Sequence, residues 1–180
     1  MRQVLLNLAI TIDGLIAGPN GEYDWCLTDN DYGLTALNKR VDTFIMGRKT
    51  WEVAQQYFAN GSTDGSSDST IIVFSRTLKE APSGNVRIVS EDPVSYVREL
   101  KRQPGKDIWL YGGGEIVAAF QKANVIDEMH LSVHPLLLGD GIPLFGKSDR
   151  IPFELVESIP YPSGLVQLIY RRKNPGPWDD

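Results

Sequence analysis

Cysteine is almost missing, with Cys26 alone among 180 residues. A lone thiol excludes an internal disulfide framework and fits a reducing, cytoplasmic setting. Histidine is nearly as scarce: His130 and His134 are the whole supply. With Cys26 they form no metal-ligand spacing, so no metal site is expected. An excess of basic residues is also missing. Lys and Arg number 18 against 23 Asp and Glu, a formal net charge of -5, which argues against nucleic acid as a partner. Apolar runs stop well short of the roughly 18 residues of a membrane span, so no membrane partner is expected. Residues 1–8 enter a strand-like run with no signal-peptide pattern. No internal repeat occurs.

What remains is ordinary globular material. Hydrophobic residues make up 42% and charged residues 23%, enough for a sizeable core. One domain over residues 1–173 is expected, with 174–180, rich in Pro and Gly, as an extended arm.

The apolar patterning predicts strands at 3–10, 41–46, 70–74, 86–89, 107–111, 127–134, 153–159 and 165–172. Helices are expected at 29–40, 48–58, 93–102 and 116–120, with Asp29 or Asn30 capping the first. Leu34 and Leu37 should face the core. The long loop after the first strand keeps Ile12, Leu15 and Ile16 among its glycines, which suits a binding loop. Residues 60–69 are small and polar, a surface excursion, and a turn is expected near Pro82-Ser83-Gly84-Asn85. His130 and His134 alternate with apolar neighbours and read as half-exposed strand residues. Strands and helices alternate in the middle and antiparallel strands close the chain. The expected class is therefore α/β, with a mostly parallel central sheet flanked by helices and an antiparallel C-terminal hairpin.

Two junctions between a strand and a helix carry the chemistry. At the first, Phe44-Ile45-Met46-Gly47 runs into Arg48-Lys49-Thr50. Free backbone N–H groups, a helix dipole, two cations and a hydroxyl converge there, which attracts phosphate. At the second, Trp109-Leu110-Tyr111 runs into Gly112-Gly113-Gly114-Glu115. Glycine there lets a phosphate approach the backbone closely. Neither matches a P-loop or the spaced-glycine dinucleotide fingerprint. Ser75-Arg76 follows a third strand. All three should lie at the carboxyl edge of the sheet. Two such turns suit a pyrophosphate, and the extra cations favour NADPH over NADH.

Residues 43–52, Phe74-Ser75-Arg76-Thr77 and residues 109–116 resemble the cofactor-binding segments of the dihydrofolate reductase-like superfamily, in order and spacing across nearly the whole chain. Residues 12–17 and 127–141 are similar to the reductase domain at the C-terminus of the riboflavin-biosynthesis deaminase-reductase. The resemblance implies a dihydrofolate reductase-like three-layer fold and hydride transfer from NADPH to a pterin- or pyrimidine-like small molecule. The nearest activity it implies is that of 5-amino-6-(5-phosphoribosylamino)uracil reductase. Dihydrofolate reduction and a non-catalytic nucleotide-binding module are the alternatives. By position, Ala9, Ile16 and Ala17 would border the nicotinamide. Gly47, Arg48, Lys49 and Thr50 with Ser75 and Arg76 would hold the adenosine phosphates. Gly112, Gly113, Gly114, Glu115 and Ile116 would cradle the pyrophosphate. Trp25 looks like the tryptophan before the substrate helix of dihydrofolate reductases. That places Asp31 near their acidic position, with Asp29 as a rival, and Ser132 at their supporting hydroxyl. A homodimer pairing through the final strands is compatible with this pattern. Two departures stand out. No basic residue follows Trp25 where the riboflavin reductases meet a ribose phosphate, and the segment is acidic instead, with Asp24, Asp29 and Asp31. The proline before Trp25 and the aromatic-rich helix typical of folate binding are also missing.

Overall fold

A computed structural model describes residues 1–59, 69–80 and 84–173. Most of the polar stretch at 60–69, part of the turn near Pro82 and the arm at 174–180 lie outside the described residues.

Among the described residues, ten strands and four helices follow in order: β1 (Val4–Thr11), β2 (Leu15–Ala17), α1 (Leu34–Arg40), β3 (Val41–Gly47), α2 (Arg48–Ala59), β4 (Thr70–Phe74), β5 (Val86–Val89), α3 (Pro93–Arg102), β6 (Asp107–Gly112), α4 (Gly114–Lys122), β7 (Glu128–His134), β8 (Ile142–Pro143), β9 (Phe153–Pro160) and β10 (Val166–Arg172). Eight strands form one sheet in the order β5-β4-β3-β6-β1-β7-β10-β9. The pairs from β5 to β7 are parallel, and β10 runs antiparallel to both β7 and β9. This is the expected mostly parallel α/β sheet with its antiparallel C-terminal hairpin.

Strand periodicity creates two cores. Val4, Leu6, Ile10, Ile45, Ile72 and Leu110 face one side and pack with Val97 and Leu100 of α3 and Val117 and Phe120 of α4. Leu5, Phe44, Met46, Val73 and Trp109 face the other side and pack with Leu37 of α1 and Trp51 and Ala54 of α2. The result is three layers, helices over both faces of the sheet. Full burial of a side chain such as Phe44 or Phe120 contributes roughly 1.5–3 kcal/mol each.

Three expectations need correction. The first helix starts at Leu34 instead of residue 29, because Tyr32 (φ 48°) and Gly33 (φ 80°) adopt left-handed backbone just before it. Leu34 is 41% exposed, so Leu37 alone anchors α1 in its core. The loop after β1 contains β2, which pairs antiparallel with β8 in the later glycine loop. Neither strand exceeds three residues, too short to show a period.

Candidate functional site at the carboxyl edge

Parallel pairing puts the carboxyl ends of β1, β3, β4, β6 and β7 at one edge, where open α/β sheets receive ligands. There β3 and β6 are neighbours, with Met46 opposite Gly112. The two phosphate-type turns therefore stand side by side. They are also bonded: the Gly113 N–H donates to Thr50 Oγ1 at 3.0 Å. A Cβ on Gly113 would lie 2.9 Å from that oxygen, and one on Gly47 would lie 3.4 Å from Ile116 Cδ1. Gly112 has φ +131°, a conformation that side chains rarely adopt, while a Cβ on Gly114 would meet nothing within 4 Å. The glycines thus answer three separate needs: contact, backbone conformation and an open approach.

The cations surround this junction. Arg48, in the first turn of α2, pairs with Glu52 one turn on. Lys49 and Arg76 are exposed. Ser75 is built into its turn, its N–H donating to the Val89 carbonyl at 2.9 Å and its Oγ accepting from the Leu78 N–H at 2.9 Å. Glu115 is exposed in the first turn of α4, and Ile116 is buried beneath it.

On the other side of the edge, strand register brings two of the remaining predicted residues together. Ala9 of β1 lies opposite Ser132 of β7, which lies opposite Gln167 of β10. Ile16 and Ala17 sit half-buried on β2. Asp13 fastens that segment to the loop before β8, accepting from the Thr11 hydroxyl and from the N–H groups of Leu138 (3.2 Å) and Gly139 (2.8 Å). Those bonds, the Thr11 one foremost and Gly139 next, lower its pKa from the ordinary 3.8 to about 2. A lowered carboxylate stabilises the fold above its ordinary pKa and ceases to do so as pH falls through about 2. Asp13→Ala should therefore loosen both loops at neutral pH, read as faster amide exchange at Leu138 and Gly139. Lowering the pH from 4 toward 2 should loosen them in the unaltered chain as well.

The turn before α1 reaches β10. Gln167 Nε2 donates to the Tyr32 carbonyl at 2.8 Å, and a Cβ on Gly33 would lie 3.1 Å from Gln167 Oε1. The turn before α1 thus touches the Gln167 end of the Ala9–Ser132–Gln167 row. Asp31 is exposed and accepts from the N–H (3.0 Å) and hydroxyl (2.8 Å) of Thr35, so it hydrogen-bonds within α1 and not to Ser132. Asp29 accepts from the Tyr32 hydroxyl, which also contacts Ser163 Oγ at 3.0 Å.

His134 corrects the reading of a half-exposed strand residue. It is buried at 3% exposure, because the segment around Trp25 folds over it. Its Nδ1 bonds to the Ser132 carbonyl at 2.9 Å, and its Nε2 accepts from the Leu27 N–H at 3.1 Å. Only the neutral Nδ1–H tautomer satisfies both. Trp25 meets its ring edge-on, with centroids 5.1 Å apart. Sequence reasoning missed Gln167, Asp13 and the clamp at His134. The one available signal was an amide, Gln167, within the apolar run of β10.

At the opposite end of α1, Glu128 is 2% exposed and is met by Arg40, His130 and Arg171. Burial pushes its pKa up, but hydrogen bonds from His130 and Arg40 outweigh that and hold it at about 2. A separate cleft of about 490 Å³ lies under α3, lined by Arg2, Thr43, Ile72, Arg87 and Tyr96 among others. None of the predicted site residues lines it. Among the described residues no group of His, Cys, Asp and Glu is arranged to hold a metal, and no helix is long and apolar enough to cross a membrane.

Known proteins were compared with this arrangement. The uncharacterized protein YyaP of Bacillus subtilis (strain 168) is 37% identical over 179 residues, covering 94% of each chain. A solved Shewanella sp. PV-4 protein, assigned by its name to riboflavin biosynthesis, superposes with a TM-score of 0.81 at 30% identity, covering 95% of this chain and 99% of that one. Enterococcus faecalis dihydrofolate reductase, solved with NADP(H) and RAB-propyl, superposes with a TM-score of 0.68 at 18% identity, over 96% and 97% of the two chains. That last likeness shows the fold, which is dihydrofolate reductase-like. The family model described as the RibD C-terminal domain matches residues 2–167, and the chain belongs to that family.

Proposed function

We propose that the protein is an NADPH-dependent reductase of a pterin- or pyrimidine-like small molecule. The observation that carries this reading is the hydrogen bond between Thr50 and Gly113, which locks two phosphate-type turns together at the carboxyl edge. Such paired helix starts bind a pyrophosphate. The family and the NADP(H)-bound structural neighbour support the same choice.

Bound NADPH would supply the hydride. Gly112, Gly113, Gly114, Glu115 and Ile116 would hold the pyrophosphate through backbone N–H groups. Gly47, Arg48, Lys49, Thr50, Ser75 and Arg76 would hold the adenosine end, with the cations favouring an additional phosphate. Ala9, Ile16 and Ala17 would shape the nicotinamide's place beside Ser132. Ser132 would orient the substrate ring, and Asp31, at the solvent-exposed start of α1, would deliver the proton that balances the hydride. Exposed Leu155 (54%) and Val156 (45%) on edge strand β9 support a homodimer through the C-terminal strands, which gel filtration would reveal.

Titrating NADPH and NADH against the protein tests the cofactor. NADPH should bind at micromolar concentration and NADH on the order of tenfold or more weakly, a difference of about 1.4 kcal/mol. Failure of both to bind below millimolar concentration would sink the reading. Once a substrate is found, Asp31→Asn should cut kcat about 100-fold while leaving NADPH binding intact. An unchanged kcat would remove Asp31 from the chemistry.

A further inference from the structure

Residues 24–28 form neither helix nor strand and lie against the carboxyl end of β7. Among the described residues, one hydrogen bond joins them to another element, from the Leu27 N–H to His134 Nε2 at 3.1 Å. The Cys26 N–H stays within the local turn and donates to the Tyr23 carbonyl at 3.1 Å. Trp25 meets the same imidazole, with the two rings at 82° and their centroids 5.1 Å apart. One side chain therefore receives both the polar and the aromatic attachment of the stretch. His134 is the last residue of β7, opposite Thr11 of β1 and two residues beyond Ser132 on the same face. The stretch is thus fastened at the carboxyl edge, beside Ser132.

This attachment requires an uncharged ring. Nδ1–H donates to the Ser132 carbonyl at 2.9 Å, which leaves Nε2 bare to accept from Leu27. A proton on Nε2 would set two N–H donors against each other across 3.1 Å. It would also place a charge on a ring that is 3% exposed. Attraction between an imidazolium and the Trp25 indole offsets part of this at most, whereas the Leu27 bond is lost outright. The two sides of the ring respond differently. The Nδ1 bond to Ser132 survives protonation, so the ring stays with β7 and the stretch is the part that leaves. Leu27 is 36% exposed, so its released N–H turns to water and no buried donor is stranded.

We propose that His134 is a pH-sensitive latch. When acid protonates the ring, Leu27 is released and residues 24–28 move off the carboxyl edge beside Ser132. The latch is closed at the higher pH, where the imidazole is neutral, and opens as pH falls. It does not depend on which ligand the edge receives. The ionisable groups on the elements around the ring are Tyr23, Asp24 and Cys26 on the stretch, Asp13 beyond Thr11 on the β1 side, Tyr161 in the turn before β10, and His130 with Glu128 further back on β7. Asp13 stays ionised down to about 2. Burial first, and then Asp24, push the Cys26 thiol up, so it stays neutral. His130 is the other histidine, and its own variant separates it from His134.

The test follows amide exchange and the His134 ring signals by NMR from about pH 7.5 to about pH 5, with exchange corrected for its intrinsic pH dependence. Protection of the Leu27 amide should fall at least about tenfold along the curve on which His134 takes up its proton. Leu138 and Gly139, held by Asp13, should keep theirs. Cys26 is the only thiol and gives a second reading. Its rate with dithiodipyridine, relative to that of glutathione at each pH, should rise several-fold over the same range. His134→Phe keeps a ring beside Trp25 but lacks Nε2, so Leu27 should be unprotected even at the higher pH and indifferent to acid. His130→Gln should retain the transition. If His134→Phe fails to fold, the unaltered chain still decides, because both curves are read on it. Leu27 protection that stays flat while His134 is protonated would overturn the proposal. So would a ring still neutral at the acid end, a loss shared by Leu138 and Gly139, or a transition that survives in His134→Phe.

Discussion

Gly113→Ala should weaken NADPH binding on the order of 10- to 100-fold. The added Cβ would stand 2.9 Å from Thr50 Oγ1 and drive that side chain away. The Gly113 N–H would then lose its acceptor, at a net cost of about 1 kcal/mol. More important, the turn after β6 would part from the turn after β3, and the two helix starts would no longer converge on one pyrophosphate. Thr50→Val separates the two causes: it removes the acceptor without adding bulk, and should lose about tenfold. Gly112→Ala acts differently. Space exists there, with Thr50 Cγ2 at 3.9 Å, but φ of +131° strains any side chain by about 1–3 kcal/mol. It should therefore lower the melting temperature as well as the affinity. Fluorescence titration with NADPH and a thermal melt distinguish the three variants. Full affinity in Gly113→Ala would mean that the paired turns do not hold the cofactor.

Arg40→Met should destabilise the fold by about 3 kcal/mol without touching the cofactor end. The change leaves Glu128, 2% exposed, with His130 and the more distant Arg171 but without its bonded guanidinium, and breaking a buried ion pair costs several kcal/mol. A melting temperature lower by roughly 10 °C follows for a chain of this size. The double variant Arg40→Met with Glu128→Leu should recover much of the loss, because it removes the stranded charge. The pH dependence carries the same signature. Held at about 2 against an ordinary 4.5, Glu128 stabilises the fold above pH 4.5, and that contribution is lost as pH falls through about 2. In Arg40→Met, burial acts on Glu128 with one hydrogen-bonding partner fewer. Its loss of stability should therefore begin at a higher pH, which acid titration followed by circular dichroism would show.

The layers and the positions of the turns after β3, β4 and β6 were legible in the sequence because they rest on local patterns. Alternating apolar runs gave the strands of the sheet, and helical spacing gave Trp51, Val97 and Leu100. The three turns after β3, β4 and β6 announced themselves by composition, and parallel pairing then set them on one edge. What stayed hidden depends on long-range contact. No local signal shows that Tyr32 turns left-handed and delays α1, since an aromatic residue seldom does so. The pairing of β2 with β8 joins segments more than 120 residues apart. His134 is buried by the Trp25 segment and Gln167 is spent on Tyr32, both tertiary outcomes. The proposed substrate carboxylate is the same kind of case, since Asp29 and Asp31 are told apart by tertiary and local partners, Tyr32 for one and the Thr35 N–H and hydroxyl for the other.

The central claim is that a dinucleotide lies along the carboxyl edge, and amide chemical-shift mapping with NADPH tests it most directly. Shifts should concentrate at Gly47, Arg48, Lys49, Thr50, Ser75 and Arg76 and at Gly112 through Ile116, with a second group at Ala9, Ile16 and Ala17. Shifts centred instead on the cleft of Arg2, Arg87 and Tyr96 under α3, or no shifts at millimolar NADPH, would contradict the account.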